Sequence, residues 1–205
     1  MHEQTLAPDT GALLEKIATQ PFLKNFYLAG GTALALEFGH RISIDLDFFS
    51  QTDPSISELK EIIPKVGKYE LNNEEQGTLD GVLDGVKLTF LRYPYQLLFP
   101  HISYKNIFMA DERDIAAMKL SAISSRGSRK DFVDLYVLLE KYHLRELIAL
   151  FEKKYADVTY NKLHLLKSLT YFADADEEPM PHMLASFTWE EAKARIVTEA
   201  KDLAG

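Results

Sequence analysis

The chain has 205 residues, 46% of them apolar, 26% charged and 11% aromatic, with a formal net charge of −8 at pH 7. That length and composition suit one large or two small globular domains and exclude disorder as the dominant state. The acidic balance argues against a protein held on nucleic acid or membrane by charge alone, and the absence of cysteine removes disulfide scaffolds, thiolate zinc sites and cysteine nucleophiles.

Leu13, Leu14, Ile17 and Ala18 recur at helical spacing and predict a helix over about Thr10 to Thr19, before Pro21. Phe26 to Ala29 then reads as a strand, Gly30-Gly31 as a turn, and Thr32 as the cap of a helix running through TALALEF to Gly39. The segment RISIDLDFF alternates, with Ile42, Ile44, Leu46 and Phe48 on one face and Arg41, Ser43, Asp45 and Asp47 on the other. A helix over Ser55 to Val66 has Ile56, Leu59, Ile62 and Ile63 on one side. Asp80-Gly81 and Asp84-Gly85 read as two turns in a hairpin or meander that ends in the Val86, Leu88, Phe90 strand.

Pro94 and Pro100 break this pattern, and from about Asp111 the chain reads as helical, which sets a domain boundary near residue 105, giving 1–105 and 106–205. Two apolar stripes, Ile115, Met118, Ala122, Ile123 and Phe132, Leu135, Tyr136, Leu139, are separated by Gly127. Further helices are expected over Leu144 to Tyr155, Tyr160 to Phe172 and Trp189 to Leu203, the last opened by a Thr188/Glu191 capping box. Asp174 to Pro181 reads as an acidic loop, whose stretch Asp174 to Glu178 could contact a basic partner or simply be solvated. The first residues lack a secretory signal and no run approaches the ~18 apolar residues of a membrane span, so a cytoplasmic location with no membrane partner is expected.

Three segments carry potential chemistry. Asp45 and Asp47, one residue apart on a strand, project two carboxylates from one face about 7 Å apart at the backbone, where a divalent cation could neutralise them. Read alone, the pair is equally a solvated acidic face. Gly30, Gly31 and Thr32 open a helix, where free N–H groups, the dipole and a hydroxyl suit a phosphate; a capped tight turn explains them as well. Lys119, Arg126, Arg129 and Lys130 place four cations within twelve residues, just before Asp131. A Ser128/Asp131 capping pair, a snorkelling Lys119 and a helix-terminal Arg126 are their structural alternatives. No P-loop, HExxH or GxSxG pattern is present, and His40 lies close enough to the acidic strand to reach it.

In this order the three segments resemble the AbiEii/AbiGii-type nucleotidyltransferase toxins, within the superfamily that includes polymerase beta and the aminoglycoside nucleotidyltransferases. The resemblance runs from Phe26 to Ser50, through Asp114 to Leu139, and weakly on to Trp189. It implies an α+β fold: a small mixed-sheet nucleotidyltransferase core followed by a C-terminal helical bundle that completes the active site. It implies an NTP as substrate and Mg²⁺ or Mn²⁺ as cofactor, held by Asp45 and Asp47, with Gly30, Gly31, Thr32, Arg41, Ser43, Arg126, Arg129 and Lys130 on the nucleotide side. Asp45, Asp47, Lys119 and Asp131 would be catalytic, releasing pyrophosphate as a nucleotide passes to an acceptor hydroxyl, with RNA, and tRNA in particular, as acceptor and an antitoxin as cognate partner. A third carboxylate common in the superfamily has no counterpart in VKLTF, which offers Lys87 and Thr89; Asp84 is the nearest acid, and Asp131 is another candidate. Transfer to a small-molecule hydroxyl, or a degenerate protein that binds nucleotide or a partner without turnover, are the alternatives.

Overall fold

The computed structural model describes residues 1–204. The chain divides into two compact units, Met1–Asp111 and Glu112–Gly205.

In the N-terminal unit, α1 (Pro8–Ile17) starts on a proline, which has no N–H to leave unpaired, and buries Leu13, Leu14 and Ile17. Then follow β1 (Tyr27–Leu28), α2 (Gly30–Phe38), β2 (Leu46–Ser50), α3 (Ile56–Val66), β3 (Tyr69–Glu75), β4 (Thr78–Leu83), β5 (Val86–Arg92), β6 (Ile102–Tyr104) and β7 (Ile107–Met109). The strands form one mixed sheet in the order β3-β4-β5-β2-β1-β7-β6. β2 runs parallel to β5 and β1 parallel to β7, and the other neighbours are antiparallel. Its core is aromatic: the Phe48 and Phe90 rings stack at 5.5 Å, and Phe26 meets Phe90 edge-on at 5.0 Å. β3 is an outer strand with a bulge between Leu71 and Asn73.

Three sequence expectations change here. The division between units falls after Asp111 rather than at 105, because the β6–β7 hairpin still belongs to the sheet. Asp80-Gly81 is not a turn but lies inside β4; the turns are at Gly77 (φ +79°) and at Asp84-Gly85, both with positive φ. Gly81 is required by packing, since a Cβ there would lie 2.5 Å from the Tyr69 ring. Finally, the alternation of 41–48 holds only from Leu46: Arg41 and Ser43 are buried whereas Ile44 is 61% exposed. Residues 41–45 precede β2 and form no ladder, with single bridges at Arg41 and at Ser43, the latter to Leu6, so no pleat imposes the two-residue period.

The C-terminal unit contains α4 (Glu112–Ser125), α5 (Arg129–Leu139), α6 (Leu144–Lys154), α7 (Lys162–Ser168), α8 (Ala173–Glu177) and α9 (Trp189–Ala204). Gly127, at φ +56°, turns the chain from α4 into α5, a conformation that disfavours side chains with a Cβ. A fully buried ion pair, Lys154 to Asp114 at 2.7 Å, ties α6 to α4. The Thr188/Glu191 capping box opens α9, each backbone N–H donating to the other's side chain. The single helix expected over Tyr160 to Phe172 is shorter, since Asn161 caps α7 by accepting from the His164 N–H and α7 ends at Ser168. The acidic segment expected to be a loop instead begins as α8, where Asp176 accepts from the Trp189 indole at 2.6 Å and from Lys193 at 3.1 Å.

Candidate active site

In the N-terminal unit the glycine turn and the acidic pair are built against each other. Ala29, not Thr32, is the N-terminal flank of α2, so Gly30 and Gly31 occupy its first turn, where N–H groups lack intrahelical partners. Gly30 has φ +69°, and a Cβ there would lie 3.4 Å from Asp47 Oδ2. The Ala29 N–H donates to the Asp47 carbonyl at 3.2 Å. Thr32 is buried; its hydroxyl donates to the Asp45 carbonyl and sits 2.7 Å from Ser43 Oγ. A hydroxyl has one proton, so Ser43 must be the donor to Thr32. Buried Arg41 donates from Nη1 to the Ile42 carbonyl at 3.2 Å. Thr32, Ser43 and Arg41 thus fix the backbone that presents the half-exposed Asp45 and Asp47 carboxylates.

Sequence reading missed a third acid on this sheet face. Asp47 on β2 is in register with Thr89 on β5, which is in register with Asp80 on β4. Thr89 Oγ1 donates to Asp80 Oδ1 at 3.0 Å, and Lys87 lies 3.7 Å from the same oxygen. Reading Asp80-Gly81 as a turn hid it. Asp84 is committed elsewhere, accepting from Lys16 at 2.7 Å and from the Lys68 N–H at 2.8 Å. Among the described residues no three His, Cys, Asp or Glu side chains group closely enough to hold a metal by themselves. Asp45 and Asp47 nevertheless suit Mg²⁺, which needs only one or two carboxylates when phosphate oxygens and water complete its shell, and Gly30 leaves open the space beside Asp47 that a Cβ would fill.

In the C-terminal unit Lys119, Arg126, Ser128 and Asp131 come together. Lys119 does not snorkel to solvent; its buried ammonium donates to Asp131 Oδ1 at 3.0 Å and pairs with Asp134 Oδ2 at 2.6 Å. Arg126 grips Asp131 with two bonds, Nε to Oδ2 at 2.9 Å and Nη2 to Oδ1 at 3.1 Å, and Ser128 Oγ donates to Oδ2 at 2.7 Å. Burial pushes the Asp131 carboxyl up, but the Lys119 charge, the Arg126 hydrogen bond and charge and the Ser128 hydrogen bond outweigh it and lower the pKa to about 2. Asp134 went unread in the sequence, although its position three residues after Asp131 on α5 is the signal that both face Lys119. Arg129 lies outside the cluster: it donates to the Ala175 and Asp176 carbonyls at 2.7 and 2.8 Å and stacks over Trp189 at 5.1 Å. Lys130 is on the exposed side of α5.

A family profile described as nucleotidyl transferase AbiEii toxin, type IV TA system, matches residues 12–203. An uncharacterised protein of Aquifex aeolicus is 41% identical over 173 residues, covering 80% of this chain and 82% of that one. Among solved structures, the nucleotidyltransferase toxin MenT4 of Mycobacterium tuberculosis superposes with a TM-score of 0.64 at 18% identity, over 99% of this chain and 87% of its own. JHP933 of Helicobacter pylori gives 0.54 at 19% identity, over 98% and 90%. At these identities the two structures establish a shared nucleotidyltransferase fold.

Proposed function

The chain belongs to the AbiEii nucleotidyltransferase toxin family, and from that premise we propose that it transfers a nucleotide from an NTP to a hydroxyl of RNA, with tRNA as the acceptor class. The observation that carries this reading is the apposition of Gly30 to Asp47, which sets a phosphate-accepting helix start beside a carboxylate pair. Asp45 and Asp47 would hold Mg²⁺ or Mn²⁺, which when bound supplies charge neutralisation on phosphate oxygens. Gly30, Gly31 and Thr32 bring backbone N–H groups to the phosphates, with Arg41 and Ser43 bracing the carboxylates from behind. Within the C-terminal unit, Lys119 and Arg126 form a cationic cluster with Asp131 and Asp134. The acceptor oxygen attacks the α-phosphorus, the bond from the α-phosphorus to the bridging oxygen breaks, pyrophosphate leaves with the electron pair, and the hydroxyl proton passes to solvent.

Asp131 is a poor proton acceptor at a pKa of about 2, so in this reading it positions Lys119 and Arg126. The toxin–antitoxin setting of the family supports a protein antitoxin as partner. The test is incubation with each α-labelled NTP, Mg²⁺ and total cellular RNA, beside Asp45→Ala and Asp47→Ala proteins. Label on tRNA-sized RNA with the unaltered protein alone is expected; no label on RNA with any NTP overturns the reading.

A further inference from the structure

Within the C-terminal unit, the turn between α4 and α5 and the segment from α7 to Asp174 enclose an open cavity of about 500 Å³. That size admits roughly one nucleotide. Arg126, His164, Lys167, Ser168, Tyr171 and Asp174 are among its walls. Three features set this cavity apart on a chain of net charge −8. Lys167 is exposed and its ammonium makes no ion pair or hydrogen bond among the described residues. Tyr171 is 59% exposed, a ring left without an aromatic neighbour among the described residues. His164 braces the wall, its Nε2 lying 3.0 Å from the Ser124 carbonyl, which fixes α7 against the end of α4. Asp174 is the one acid in the lining, against Arg126 and Lys167.

A flat aromatic face beside an ammonium that has no ion pair, with a guanidinium on the same wall, is the chemistry that binds a single nucleic-acid strand, because every base has a π-face and every linkage a negative charge. We propose that this groove is the RNA subsite of the protein, with Lys167 and Arg126 taking a phosphodiester of the acceptor strand and Tyr171 stacking on the adjacent base. The proposal rests on the RNA acceptor proposed above and gives it a place on the molecule. Arg126 belongs to both the groove and the Lys119–Asp131–Asp134 cluster, so an RNA phosphate drawn to its guanidinium contacts the same group that holds Asp131.

The test is binding of a fluorescein-labelled, mixed-sequence single-stranded RNA of twelve nucleotides to the full chain, followed by anisotropy across a salt series. ATP with Mg²⁺, read by thermal protection, is the parallel probe. Tyr171→Ala is expected to weaken RNA binding roughly tenfold while Tyr171→Phe retains it. Lys167→Ala should lower the slope of log affinity against log salt by about 0.7. Thermal protection by ATP should be unchanged in all three. Unaltered affinity and slope in the variants, or no binding of the probe by the unaltered protein, overturns the proposal, as does loss of ATP protection with RNA binding intact. RNA binding that depends on these residues without nucleotide transfer would overturn the transferase reading alone. Transfer to RNA that is indifferent to Lys167 and Tyr171 would overturn the subsite alone.

Discussion

Lys119 Nζ lies 2.6 Å from Asp134 Oδ2, with the two side chains 6% and 0% exposed. Removing one member leaves its partner's charge under-compensated away from water, Lys119 keeping Asp131 alone when Asp134 is lost, and that desolvation outweighs the lost attraction. Asp134→Ala is therefore expected to destabilise the protein by about 3–5 kcal/mol in urea unfolding. Lys119→Met should cost a comparable amount, because it leaves two buried carboxylates side by side. A double-mutant cycle joining the two changes should show strong coupling; additive costs would refute a direct pair.

Acid should attack the same cluster. The Asp131 pKa is depressed from 3.8 to about 2 in the folded state, so between these values the unfolded chain binds more protons. The stabilisation is complete above about pH 5 and is lost as pH falls through 2, amounting to about 2 kcal/mol for that shift. Arg126→Ala should raise the Asp131 pKa toward the ordinary carboxylate range and move acid unfolding to higher pH. Carbon-detected NMR titration of the carboxyl group, with an acid melt, checks both.

Thr32 touches the acidic pair only through backbone and Ser43, which makes it a positioning residue. Thr32→Val keeps the shape and removes both hydrogen bonds, and transfer is expected to fall about 100-fold, the scale of a small misplacement of reacting groups. Thr32→Ser should restore most of it. A kcat loss shared equally by Val and Ser would contradict the hydrogen-bonding role.

The two glycines of the turn should separate. Gly30 is at φ +69°, so Gly30→Ala strains the backbone by about 1–2 kcal/mol and brings a methyl against the Asp47 carboxylate, and nucleotide-dependent thermal protection should drop with it. Gly31 is not among the positive-φ positions. Gly31→Ala should be neutral or raise the unfolding free energy by up to about 1 kcal/mol through helix propensity.

What could be read in advance follows from how local each cause is. α3, α6 and α9 announce themselves because a helix facing a core repeats its apolar residues every turn, and the capping box of α9 spans four consecutive residues. The glycine turn and the acidic pair are linked by one short helix, so their proximity follows almost from chain length. Asp80 was hidden because an Asp-Gly pair usually marks a turn, whereas here the glycine makes room for the Tyr69 ring across the strand pair. Ile44 defeated the alternation rule because its segment lacks a neighbouring strand. Asp114 and Lys154, forty residues apart, find each other only once α4 and α6 are packed, and no local pattern encodes that.

The outer strand β3 bears on how copies of this protein behave when crowded during synthesis. An unpaired strand edge of seven residues is a template onto which another extended chain can zip. Here the edge is interrupted by the bulge at Leu71 to Asn73, and Glu70, Glu74 and Glu75 line it in exposed positions. A like copy approaching edge to edge meets its own carboxylates and a backbone out of step, so the sheet stops growing at its seventh strand and aggregation through this route is suppressed.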